Sequence, residues 1–257
     1  QWPGLALVFD RCLQRLGWST AQASPRLQAL VNCAHEIAAN IEGAARVLHA
    51  AEPAYHNRLH MADTMVCMTH LLLSQRRTQT TRQADACLEC IALVVMLGHD
   101  YLHNGKVNRF PAELETIAVE QLTPIMAKHQ VAQADQEMIA FCILKTDPSG
   151  VKQSHGLVAE REFVLEDRDC LAVLVQEADI LGSTLPVTAP DLTASLASEW
   201  SLFNPQLAQS LSQPKSRIFF LENAALFSST AAQNLGIPTL KATELDQIRA
   251  QIAASGQ

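Results

Sequence analysis

The chain has 257 residues, 48% of them apolar, and a formal net charge of −7. That length suits one large domain or two small ones, with enough apolar residue for a sizeable core. The acidic balance argues against broad, unspecific nucleic-acid binding, which favours a basic face. It admits a phosphate-bearing substrate where a bound dication reverses the local sign.

Taken in chain order, Leu5, Val8, Phe9, Cys12, Leu13 and Leu16 recur at helical spacing and stop at Gly17, a C-terminal breaker. Ser24-Pro25 reads as an N-cap with proline at the first helical position. Leu27, Leu30, Val31, Ala34, Ile37, Ile41 and Leu48 continue one face. Further helices are predicted near 58–75, 83–98, 112–128, 134–145, 168–182, 190–200, 205–212, 215–234 and 242–254. There is no strand alternation, internal repeat or low-complexity tract. The breaks "KTDPSG" (145–150) and "LGSTLPVTAPD" (181–191) are too short for interdomain linkers. The expectation is one all-α domain over residues 1–257, a compact helical bundle.

The seven cysteines are odd in number and lack disulfide-like spacing, and no cleavable signal is evident. Both point to a reducing, cytoplasmic compartment. Cys87 and Cys90 form the one Cys-x-x-Cys, inside the apolar run "ACLECIALVVMLG". Packing is their expected role, because no second pair completes a zinc site. The most apolar run, "CIALVVMLG", is too short to span a bilayer. A start at Gln1 rather than Met leaves room for an upstream regulatory domain.

Three stretches carry polar residues that a core pattern does not explain. In "AYHNRLHMADTM" (54–65), His56 and His60 stand four apart and Asp63 follows, a spacing that shares one helix face. "LGHDYLHNGKVN" (97–108) places His99 and Asp100 at the end of the most apolar helix, with His103 one turn beyond His99 if the helix continues. A buried ionised carboxylate costs several kcal/mol unless compensated, and a metal ion is a common compensation. In "LAVLVQEADILG" (171–182), Asp179 is embedded beside the stripe of Leu171, Leu174, Val175, Ala178 and Leu181. Two imidazoles and two carboxylates, His60, His99, Asp100 and Asp179, suit zinc, manganese, iron or magnesium. The histidines at 35, 49, 70, 129 and 155 have no such partners and are expected to be structural or on the surface.

"YHNRLHMAD" (55–63) followed by "GHDYLHNGKVN" (98–108) resembles the signature of the class I cyclic-nucleotide phosphodiesterase catalytic domain, within the HD-domain metal phosphohydrolases. "AELETIAVEQL" (112–122), "ILKTDPS" (143–149) and "EADILGSTLP" (177–186) resemble the family's later segments, in its order. The resemblance implies an all-α fold holding two divalent metal ions. His60, His99, Asp100 and Asp179 would hold the first, and Asp100 would be shared with the second. His103, Glu115 and Thr146 would brace the metal waters. Asn108 and Asp147 fall at further polar positions of the motif. A metal-bridging hydroxide would attack the phosphoester, and His56, oriented by Glu199 in "ASEW", would be the general acid. Asp63 would support this arrangement or cap a local amide.

The resemblance weakens at "KSRIFFLEN" (215–223), where the family reads its purine with a glutamine in a Gln-x-Gly-Phe context. Arg217 stands at the glutamine, Phe219 at the glycine, and Phe220 keeps the aromatic clamp. Gly182 replaces an asparagine beyond the last metal aspartate. Asn108, Arg217 and Phe220 are the substrate-contact candidates. Arg217 would pair with a ligand phosphate or carboxylate; the alternative sends it to solvent with Phe219 filling core. The leading function is hydrolysis of a small phosphoester, a nucleotide among the candidates. An HD-type nucleotidase on a phosphomonoester and a non-catalytic ligand sensor are the other readings.

Overall fold

The computed structural model describes residues 2–19, 23–48, 52–78 and 83–255. The side chain of Leu48 and all of His49 lie outside the described residues. Among the described residues there are helices and no strand: α1 (Leu5–Arg15), α2 (Pro25–Leu48), α3 (Arg58–Thr78), α4 (Ala86–Gly98), α5 (Glu113–Lys128), α6 (Gln133–Leu144), α7 (Val151–Val158), α8 (Arg168–Thr184), α9 (Ala189–Trp200), α10 (Pro205–Leu211), α11 (Pro214–Asn223), α12 (Thr230–Asn234) and α13 (Ile237–Ser255).

The centre of the molecule is α4. Asp85 caps its start by accepting from the Cys87 and Leu88 amides at 2.7 and 3.2 Å. Every residue from Cys90 to Leu97 is then buried, because α4 is wrapped by α1, α2, α3, α6 and α8. Burying each Leu, Ile or Val of such a shaft contributes roughly 1.5–3 kcal/mol. The helix therefore delivers the two residues that follow it, His99 and Asp100, from a fixed position. α3 packs along both α4 and α8, which brings three potential ligand-bearing helices side by side. A single apolar cluster runs from Leu5 to Leu245. All seven cysteines are buried and unpaired within it, Cys87 and Cys90 included. No single helix among the described residues is long and apolar enough to cross a membrane.

Three local predictions differ from the structure. His56 does not lie on the helix of His60. Asn57 caps α3, its Oδ1 accepting from the amides of Leu59 at 2.8 Å and His60 at 3.3 Å, so His56 belongs to the preceding turn. The single helix expected over 215–234 is two, α11 and α12. Buried Glu177 breaks it by accepting from the amides of Ser228 at 2.6 Å and Ser229 at 2.7 Å, and Ser229 then caps α12. Finally, α7 was not expected. It follows a short turn in which Asp147 accepts from Ser149. Ser24 does cap α2, with its hydroxyl accepting from Leu27 at 3.2 Å, and Gly17 does end α1 with φ of 82°.

Candidate metal centre

His60 on α3, His99 and Asp100 at the end of α4, and Asp179 on α8 converge. His60 Nε2 is 3.1 Å from Asp179 Oδ1 and 3.4 Å from Asp100 Oδ2. His99 Nε2 is 3.1 Å from Asp100 Oδ2 and 3.3 Å from Asp179 Oδ1. The His99 ring is oriented by the Met96 carbonyl, 3.0 Å from Nδ1. With Nδ1 engaged there, Nε2 is the ring atom turned toward the carboxylates, and it offers its lone pair once a cation displaces the proton shared with them. Nε2 is buried and has no aligned hydrogen-bond partner. An orphaned imidazole nitrogen facing two carboxylate oxygens is what a bound cation completes, so the residues fit a divalent metal ion.

The electrostatics agree. Burial opposes charge on both histidines, but Asp100 and Asp179 outweigh it, raising His60 to about 9 and His99 well above its usual value. Burial would likewise raise both aspartates, yet the facing histidines hold them well below the carboxylate range. The four groups neutralise one another with shared protons, which a divalent ion can displace.

Beside this cluster stands an acid–base pair. His56 Nδ1 lies 2.5 Å from Glu199 Oε1, on α9. The other oxygen of Glu199 accepts from the Tyr55 and His56 amides at 2.7 and 3.0 Å. Burial raises the Glu199 carboxyl, but these contacts win and hold it below its usual value. The His103 ring stacks at 4.1 Å from that of His56. It arrives by a different route from the expected one: α4 has ended, and Leu102 turns the chain with φ of 53°. Burial, with His56 alongside, pushes His103 down to about 4. The Gly105 amide donates to His103 Nδ1 at 3.0 Å, so the neutral ring carries its proton on Nε2. His56, Asp100 and His103 can bring ligand atoms within 4.8 Å of one another, as can His60, His99 and Asp100.

The remaining predicted residues divide. Glu115 is raised by burial and feels the charges of Asp147 and Asp100. Asn108 uses part of its amide within the protein: its Nδ2 donates to Glu115 at 2.8 Å and its Oδ1 accepts from the Leu114 amide at 2.8 Å. Thr146 turns its hydroxyl back to the Ile143 carbonyl, 2.7 Å away. Asp147 accepts from the Ala112 amide at 2.8 Å, pinning the start of α5. Asp63 presses on Gly182, where an added Cβ would meet Asp63 Oδ2 at 2.3 Å. A larger residue at 182 would therefore have to displace the Asp63 carboxylate.

Neither expectation for Arg217 describes it. Its side chain is only 16% exposed and chelates Glu244 on α13 at 2.8 and 2.9 Å. It also donates to the carbonyls of Ser183 at 2.6 Å and Thr184 at 3.0 Å. Four of its five N–H groups are thus committed inside the protein, which withdraws it from ligand pairing. Phe219 is 67% exposed and fills no core. Phe220 packs against the core and lies 5.4 Å from the Arg217 guanidinium.

Sequence reasoning assigned no role to Tyr55, Gly105 or Glu244. The Tyr55 hydroxyl lies 2.9 Å from Ser183 Oγ, and its ring is 4.8 Å from each of His56 and His60. Gly105, with φ of 74°, backs onto Glu199; a Cβ there would sit 3.3 Å from Glu199 Cγ. Tyr55 and Gly105 lie inside quoted motif stretches, so position alone could have flagged them. Glu244 carries no local signal.

No protein-family model matches the sequence, and no curated protein matches it either. Solved structures do. The phosphodiesterase domain of the RhoPDE fusion protein from the choanoflagellate Salpingoeca rosetta superposes with a TM-score of 0.67 at 18% identity, over 97% of this chain and 89% of that one. A second structure, of the phosphodiesterase domain of Salpingoeca rosetta rhodopsin phosphodiesterase, gives 0.62 at 18% identity, over 97% and 86%. LmjPDEB1 in complex with IBMX gives 0.60 at 14% identity, over 97% and 98%. The fold of this chain is that of phosphodiesterase catalytic domains, carried by a widely diverged sequence.

Proposed function

We propose that the chain is a metal-dependent phosphohydrolase that cleaves a phosphoester of a small molecule, with 3',5'-cyclic nucleotides the first substrates to test. The observation that carries this reading is the placement of a buried-carboxylate-oriented imidazole, His56 with Glu199, beside the four-ligand cluster. A metal scaffold alone has no use for a proton donor. His60, His99, Asp100 and Asp179 would hold one divalent ion, with Asp100 shared by a second; zinc, magnesium, manganese and iron all suit the donors. When bound, such ions supply positive charge to the phosphate oxygens and an activated water.

The rest of the work falls to the chain. Glu199 fixes the His56 tautomer: with Nδ1–H donated to the carboxylate, Nε2 is the atom that carries a proton to and from the reaction. Protonated, it gives that proton to the departing alkoxide oxygen. His103, with its proton on Nε2, donates a hydrogen bond toward the same space. Tyr55 and the apolar shafts of α3, α4 and α8 keep bulk water from the ligands. Two structural neighbours are rhodopsin–phosphodiesterase domains, which supports a regulatory region joined to this chain. The unpaired buried cysteines support a reducing, cytoplasmic setting.

The test is a panel of cyclic nucleotides, linear phosphodiesters and phosphomonoesters with magnesium, manganese or zinc. Metal-dependent turnover that disappears in Asp179→Ala supports the proposal. Turnover of monoesters alone selects a nucleotidase. No turnover of any substrate, with a nucleotide-dependent rise in melting temperature, replaces the enzyme by a sensor.

A further inference from the structure

The C-terminal helix α13 reaches the metal end of the molecule through a chain of hydrogen bonds. Glu244 on α13 holds Arg217 on α11 by two bonds. Arg217 in turn holds the carbonyls of Ser183 and Thr184. These are the last two residues of α8, whose carbonyls have no partner within the helix. A guanidinium there also complements the negative end of the helix dipole. One turn back on the same helix is Asp179. The Ser183 hydroxyl meets the Tyr55 hydroxyl at 2.9 Å. Tyr55 packs its ring against His56 and His60, and its amide shares Glu199 Oε2 with the amide of His56.

We propose that Arg217 and Glu244 are positioning residues that hold the end of α8 and, through Ser183 and Tyr55, set the geometry of the His56–Glu199 pair. The arginine is needed for its shape. Its fork chelates the Glu244 carboxylate and still reaches two carbonyls; a lysine, a point charge on a flexible stem, cannot do all of this at once. The glutamate is needed because the guanidinium is mostly enclosed, and an enclosed cation without its carboxylate would move toward water. The metal ligands depend on it less, since α3, α4 and α8 are packed along their shafts. Displacing the clamp therefore impairs proton donation before metal binding.

This inference rests on the proposed hydrolysis, and two readouts separate the two ideas. The first uses the zinc-loaded full chain and a pair of diesters, one losing an alkoxide and one losing 4-nitrophenolate. Alkoxide departure needs the His56 proton and nitrophenolate departure does not. Arg217→Met and Glu244→Ala are expected to lower kcat at least about tenfold on the alkoxide substrate and to leave the nitrophenyl substrate within about twofold, with KM unchanged. Arg217→Lys should recover part of the loss, and the double variant should be no worse than either single one. The second readout needs no turnover: the low-field proton resonance of the His56 Nδ1–Glu199 hydrogen bond should broaden or disappear in Arg217→Met and weaken in Ser183→Ala, while zinc uptake is retained. Equal rate losses on both substrates, or an unchanged resonance in variants that melt normally, overturn the proposal. Should the wild type hydrolyse neither diester, the hydrolytic reading fails, and the resonance still decides whether the clamp exists. If Arg217→Met does not fold, Glu244→Gln and Ser183→Ala carry the same test.

Discussion

The two ends of the site are built in opposite ways. At the metal end, His60, His99, Asp100 and Asp179 leave the tips or faces of helices whose shafts are buried. Their positions follow from packing that would exist without them. At the α11 end, Arg217 faces inward onto Glu244 while Phe219 is open to solvent. There α11 is short: Leu221 is buried with Ile218 and Phe220 packed against the core, and Arg217 adds long-range polar contacts to α8 and α13. The packed end is fixed by core burial, whereas the position of the other end depends on paired side chains such as Arg217 and Glu244.

The largest effects should come at the packed end. Asp179→Ala removes one of two carboxylates that balance the imidazoles. Metal retention after desalting and any metal-dependent hydrolysis should both fall to background, as metal analysis and the substrate panel would read. Metal retained in that variant would break the contrast. His56→Ala should sharpen it, with a rate loss of about 10²–10⁴-fold on alkoxide leaving groups while metal content stays at the wild-type level. Loss of the metal in His56→Ala would mean that the acid and the ligand set are one unit.

This asymmetry also explains what could be read in advance. His99-Asp100 closes an apolar helix, and Asp179 interrupts one, so periodicity alone exposes them as residues that the core does not need. The resemblance names Glu199 as the partner of His56, and the two meet across 143 positions; what local pattern misses is the conformation, because Asn57 takes the N-cap and leaves His56 in the turn before α3. The break between α11 and α12 is hidden from local pattern because it is made by Glu177, which captures two amides from a distant helix. Sequence alone points Arg217 toward a ligand or solvent because its partner Glu244 lies in a segment with no motif. Local pattern reports which residues a helix buries; it does not report which side chains will find each other across the fold.

A smaller effect is expected at the seam between α3 and α8. Gly182 allows Asp63 to approach so closely that an alanine Cβ would meet its carboxylate at 2.3 Å. Gly182→Ala should cost about 1–3 kcal/mol in urea denaturation. Asp63→Ala in the same chain should return most of it, because the clash is between those two groups. Additive losses would place the strain elsewhere.

An effect of similar size, confined to acid pH, probes the foundation of the α11 end. His155 on α7 is buried, with Nδ1 2.7 Å from Ser228 Oγ, in the segment linking α11 to α12. Burial, helped by the charge of Lys241, pushes its pKa down to about 4. In the unfolded chain it is about 6.5. Between these values the native state binds fewer protons than the unfolded one, so the contribution of His155 is present above pH 6.5 and is lost as pH falls toward 4. A loss of about 2 kcal/mol is expected by pH 5, above the range where most carboxylates titrate. His155→Gln keeps a polar partner for Ser228 but cannot titrate. The difference in denaturation midpoint between wild type and variant should therefore narrow or reverse in favour of the variant from pH 7 to pH 5. A difference that stays constant across that range would mean that His155 is not held neutral, and that the linker between α11 and α12 opens to water more readily than its packing implies.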